Sequence, residues 1–163
     1  MNGGSPTAWS RSRPISAGST ESGLQRQPVI IVHSLAHATA ALTAAARASR
    51  PVVLASAPDA GGYVGPGWFS ALVTAAGEAI PEARFSAFLD CGDNVGAALA
   101  AIRAEVQGVI FIGRADVARR LGDIAQQHRV RFETSRPDGA LDLRDDFFAS
   151  PESLERRCAE FFR

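Results

Sequence analysis

The chain contains no lysine: its Lys-plus-Arg total of 17 is all arginine, matched by 17 aspartates and glutamates. That balance leaves no net field to recruit nucleic acid or an anionic membrane surface, so a charged partner has to be bound locally. The missing lysine also removes a residue that a Walker A loop requires. The two cysteines, Cys91 and Cys158, are far apart and in no C-x-x-C arrangement. They suggest neither a disulfide scaffold nor a zinc knuckle, and a reducing cytoplasm fits them best. No apolar run approaches the roughly eighteen residues of a spanning helix, and the start of the chain has no apolar h-region, so neither membrane insertion nor secretion is expected. Solenoid-length repeats and coiled-coil heptads are absent too.

With 163 residues, the chain has enough apolar content for one core and too little length for two. Residues 1–27 are dominated by Ser, Gly and Pro. Arg11, Arg13 and Arg26 give them the acid-poor look of a transit peptide, but no amphipathic period supports that reading. They read as a disordered extension, with an α/β domain over residues 28–163.

Short unbroken apolar runs mark strands buried on both faces: Val29-Ile30-Ile31-Val32, Val52-Val53-Leu54, residues 85–89, and Val109-Ile110-Phe111-Ile112. A fifth run, residues 129–133, alternates, with Val130 and Phe132 on one side, which suits an edge strand. Between the runs the period becomes helical. One stripe is Leu35, Ala38, Leu42 and Ala45 behind an N-cap at Ser34. Another is Trp68, Phe69, Leu72, Val73 and Ala76. A third is Val95, Leu99 and Ile102, capped by Asp93, and a fourth is Val117, Leu121 and Ile124. Beyond a turn at Arg136-Pro137-Asp138-Gly139, Ser150 and Pro151 open a last helix presenting Leu154, Cys158, Phe161 and Phe162. The alternation predicts a single α/β domain with a mainly parallel five-stranded sheet and helices on both faces, flavodoxin-like or Rossmann-like in order. A portion of a (β/α) barrel is the alternative, because barrels repeat the same unit.

In such a sheet ligands bind beyond the carboxyl ends of the strands. The polar residues predicted there are His33 and Ser34; Asp59 with Gly61, Gly62, Gly65 and Gly67; Asp90, Cys91 and Asp93; and Arg114. Glycines leading into a helix can turn backbone N–H groups toward an anion. Gly65, Gly67 and Ser70 loosely match a dinucleotide fingerprint, but about eight loop residues separate them from the strand and Pro66 removes a donor. Cys91 is read as a small buried residue rather than a nucleophile, because Asp90 and Asp93 oppose the thiolate and no lysine offsets them. His33 is placed to serve as a base. Arg114 is the natural partner for a carboxylate or phosphate. A metal site from His33, Asp59, Asp90 and Cys91 lacks the close ligand spacing that would support it, and no cofactor is specified.

Ala55-Ser56-Ala57-Pro58-Asp59-Ala60-Gly61-Gly62-Tyr63-Val64-Gly65-Pro66-Gly67-Trp68-Phe69 and Asp90-Cys91-Gly92-Asp93 resemble stretches of a family of small bacterial α/β proteins of unknown function. The resemblance covers the middle third of the chain and implies no activity. Two functions compete: a site for a small anionic or phosphate-bearing metabolite, and a non-catalytic module that uses Phe147, Phe148, Phe161 and Phe162 to bind a partner or form a homodimer.

Overall fold

The computed structural model describes residue 24 and residues 26–163, so most of the expected 1–27 extension lies outside the described residues. Strands β1 (Val29–Val32), β2 (Val52–Ser56), β3 (Phe85–Asp90), β4 (Gly108–Ile110) and β5 (Arg131–Glu133) alternate with helices α1 (Leu35–Arg47), α2 (Gly65–Ala79), α3 (Val95–Arg103) and α4 (Ala115–Gln127). Two elements follow, a short β6 (Leu141–Asp142) and α5 (Pro151–Phe161). The α/β class and the parallel sheet are as the sequence predicts.

The sheet has six strands in the order β5-β4-β3-β2-β1-β6, all parallel. The added strand is β6, where Leu141 and Asp142 lie beside Ile30 and Ile31. Two residues are too short to show a period-two pattern. The sequential order also differs from the reversing orders of flavodoxin-like and Rossmann-like sheets, and this decides where the helices go. Right-handed crossovers that step steadily in one direction lay every helix on the same face.

The packing agrees. One large core joins Ile30, Leu54, Leu89 and Val109 of the sheet to buried residues of all five helices, including Leu42, Phe69, Ile102, Leu121 and Leu154. The opposite side chains of the strands, Val29, Val53, Ala55, Phe88 and Ile110, form a second cluster with Leu24 and no helical residue. This one-sided winding is the unit of the barrel-like alternative.

Among the described residues the face of the second cluster carries no helix, and it is crossed by residues 134–140, because β5 and β6 lie at opposite edges. Ala140 of this crossing packs into the second cluster, and Arg136 reaches the end of β3. Passing back over the other face keeps this connection right-handed as well.

Small residues and caps set the helices. Ala38, Ala41 and Ala45 are fully buried, which lets α1 lie close to the sheet and to α5. Ser34 caps α1 by accepting from His37 N at 3.2 Å, and Ser150 caps α5 with Pro151 following. Asn94, rather than Asp93, caps α3, accepting from Ala97 N at 2.9 Å. Asp93 is exposed, one residue too early to reach that N–H. Leu35, Trp68 and Val95, assigned to buried stripes, are instead exposed at the first turns of their helices, above the strand ends.

Candidate functional site

At the carboxyl ends of the strands two polar groupings form. Asp90 ends β3 and is buried. Its Oδ1 accepts from the backbone N–H groups of Asp59 (3.0 Å) and Gly92 (2.9 Å). Arg136 donates through Nε to Asp90 Oδ2 at 2.7 Å and through Nη2 to Asp90 Oδ1 at 3.1 Å, and the same Nη2 lies 2.9 Å from Asp59 Oδ1. Hydrogen bonding from Asp90 raises the pKa of Arg136 against the smaller effect of burial, and the nearby carboxylates raise it further. This grouping fastens the crossing segment to the tips of β2 and β3.

The second grouping surrounds Asp142. The pairing of Ile31 with Asp142 brings β6 alongside β1, and one residue beyond β1 His33 Nε2 lies 2.7 Å from Asp142 Oδ1. Arg144 donates its backbone N–H to the same oxygen (2.9 Å) and its Nε to Oδ2 (2.8 Å). Burial opposes ionisation of Asp142, but hydrogen bonds from Arg144 and His33 outweigh it and hold the carboxyl below its ordinary range.

Behind His33 lies His37, fully buried, whose Nδ1 accepts from the His33 backbone N–H at 3.2 Å. Burial lowers the pKa of His37, partly countered by the backbone of Asp146. An accepting Nδ1 places the proton of the neutral ring on Nε2.

His33 and Arg144 line a cleft of about 310 Å³, whose walls include Ala57, Val64, Tyr63, Trp68 and Phe147. Tyr63 is 66%, Phe147 50% and Trp68 42% exposed, so three aromatic rings border an open, largely apolar hollow. That combination of apolar walls and a few polar groups is what small-molecule sites present.

No family model matches the chain, and no curated protein does. Among solved structures the fold is similar to a candidate fructose-1,6-biphosphate aldolase from Coccidioides immitis, with TM-score 0.54 and 18% identity over 67% of this chain. The chain spans 45% of that protein's length. At that identity the likeness shows the fold alone.

Of the ligand-binding candidates named from the sequence, only His33 lines the cleft. Ser34 is spent on its cap, and Asp59 and Asp90 belong to the Arg136 grouping. Gly61 and Gly62 lie in a 3-10 turn, Ala60–Gly62, and a Cβ on Gly61 would meet Cys91 Sγ at 2.6 Å. The expected anion cradle is largely closed, because the N–H groups of Ala60, Gly62, Tyr63 and Val64 are bonded within that turn. Gly65 (φ +76°) and Gly67 open α2 with no side chain nearby. Cys91 is buried, and burial, with Asp90, pushes its thiol up to about 12. Arg114 is exposed and paired with its neighbour Asp116 at 3.1 Å. Asp142, Arg144 and Arg136 were missed. Nothing in the sequence singles out Asp142 or Arg144, and Arg136 is marked only by its place in the Arg136-Pro137-Asp138-Gly139 turn.

Proposed function

We propose that the chain binds a small anionic metabolite in the cleft above β1, β2 and β6. The observation that carries this reading is Arg144, an exposed cation that lines the hollow beside His33 while three aromatic side chains offer faces for the body of a ligand. Arginine suits carboxylate and phosphate oxygens because its planar fork donates in pairs. Asp142 offsets much of the Arg144 charge, and the N–H groups of the glycine turn are internally bonded. Both features favour a singly charged anion over a doubly phosphorylated one. A phosphate-bearing ligand is also compatible with the likeness to the candidate aldolase. The chain itself has no lysine with which to hold a carbonyl ligand as a Schiff base.

Thermal shift with inorganic phosphate, fructose 1,6-bisphosphate, benzoate and phenylpyruvate tests the reading. Stabilisation by at least one anion, reduced in Arg144→Gln, is the expected result. If none of them raises the melting temperature, the proposal fails.

A second reading is self-association through Phe148, which is 97% exposed and stacks edge-on against Phe147. Phe162 does not belong to that surface: it is 6% exposed and lies in the main core. Light scattering of Phe148→Asp against the unaltered protein would expose a dimer held by this side chain.

A further inference from the structure

We infer that His33, positioned by Asp142, is a general base that takes a proton from the carbon next to the carbonyl of an aryl 2-oxo acid bound in the cleft. This inference rests on the cleft being the anion site proposed above, and it adds a reaction to that site.

The tautomer follows from the geometry. An ionised Asp142 accepts from His33 Nε2 at 2.7 Å, so Nε2 carries the proton and Nδ1 holds the lone pair. Nδ1 has no hydrogen-bond partner among the described residues, and it is not among the buried atoms left unpaired. The basic nitrogen is therefore neither paired nor fully buried, on a side chain that lines the cleft. Asp142 is itself fixed by the Arg144 backbone and side chain, so imidazole and guanidinium flank one carboxylate and are held in relation to each other.

Arg144 spends Nε and Nη2 on Asp142, which leaves Nη1 for a ligand carboxylate. A 2-oxo acid seated there has its carbonyl next to the carboxylate and its acidic C–H one carbon further, toward His33. The C–H bond breaks, an N–H bond forms at Nδ1, and the electron pair moves onto the carbonyl oxygen to give an enolate whose charge is balanced by the imidazolium formed at His33, while Arg144 stays on the ligand carboxylate. Return of the proton from the imidazolium to carbon or oxygen completes a keto–enol interconversion with no further reactant.

A ring on the reacting carbon would meet Tyr63, Trp68 and Phe147, which is why an aryl substituent is specified. Among the described residues the lining holds no cysteine, serine or lysine. The titratable groups around His33 are Asp142, Arg144 and His37, and burial lowers the pKa of His37.

The test follows loss of the C3 protons of phenylpyruvate in D₂O by NMR, with binding measured in parallel by thermal shift. The full chain is expected to exchange them faster than buffer alone, with His33→Gln slower by at least about 100-fold. Asp142→Asn is expected to bind phenylpyruvate while losing rate, and to displace the pH–rate profile, which a merely structural role would not do. Binding without exchange above buffer, or undiminished exchange in His33→Gln, overturns the inference. Failure of phenylpyruvate to bind overturns it too, and the remaining anions of the panel then decide separately whether the binding reading stands.

Discussion

Gly92 faces the carboxylate of Asp59 so closely that a Cβ added to it would lie 1.9 Å from Asp59 Oδ1. Both residues are left-handed, with φ of +54° at Gly92 and +62° at Asp59. The contact draws the tips of β2 and β3 together where Asp90 binds both backbones. Gly92→Ala puts a side chain on a left-handed backbone and displaces the Asp59 carboxylate from Arg136, and is expected to lower stability by about 1–2 kcal/mol. The midpoint of urea unfolding measures this, and an unchanged midpoint would rule out the tight approach.

Arg136 is the clamp on the crossing segment. Arg136→Met keeps the length of the side chain and leaves Asp90, only 4% exposed at its side chain, with two backbone donors and no counter-ion. A loss of about 2 kcal/mol is expected, because a buried carboxylate loses charged partners on one side only. Protease cleavage within residues 134–140 should also quicken. A variant as stable and as resistant as the parent would show that the crossing is held by Ala140 and its apolar neighbours instead.

These two clusters show where the sequence was legible. The apolar runs of β1 to β4 identify themselves because both faces of each strand are buried, and Ser34 and Ser150 announce helix starts by local chemistry. His33 was found at the right place because a polar residue directly after a buried strand must lie at its end. Strand order was not legible, since flavodoxin-like, Rossmann-like and barrel-like sheets share the same alternating elements. Without the order, the return of residues 134–140 across the sheet is invisible, and with it the meeting of Arg136 with Asp90 and of His33 with Asp142, 109 residues away. The first-turn positions of Leu35, Trp68 and Val95 misled for another reason: helical periodicity gives a face but not how far the neighbouring layer extends.

Cys91 and Cys158 should behave alike. Both are buried, with thiols pushed up to about 12 chiefly by burial. Neither should react with iodoacetamide at neutral pH until the protein unfolds. Rapid alkylation of Cys91 in the native state would contradict its position behind Gly61.

Three helices end on a residue in the left-handed region that is not glycine: Ser49 after α1, Glu105 after α3 and Arg129 after α4, with φ of 53°, 55° and 58°. Glycine adopts this conformation without the steric cost of a Cβ. Arg129→Gly is expected to stabilise the protein by about 0.5–1 kcal/mol. A fall in the unfolding midpoint would show that the Arg129 side chain contributes more than its backbone costs.

His37 should make the fold sensitive to mild acid. Its side chain is buried, and burial sets its pKa below the ordinary 6.5 despite the opposing backbone of Asp146, with His33 lowering it further. In the unfolded chain the same ring takes a proton near 6.5. Between the two values the unfolded state binds more protons, so its contribution to stability is full above 6.5 and is lost progressively as pH falls toward the folded value. The depressed carboxyl of Asp142 acts in the same direction but in a lower window, starting near the ordinary 3.8. Urea midpoints between about pH 7 and pH 5 therefore exclude the carboxyl, and comparison with a His37 variant removes what the other two histidines contribute. His37→Gln retains an acceptor for the His33 N–H, and its midpoint is expected to vary less over that range than the parent's. Equal slopes for the two proteins would mean that His37 accepts its proton in the folded state, and that the space beneath His33 admits a charge.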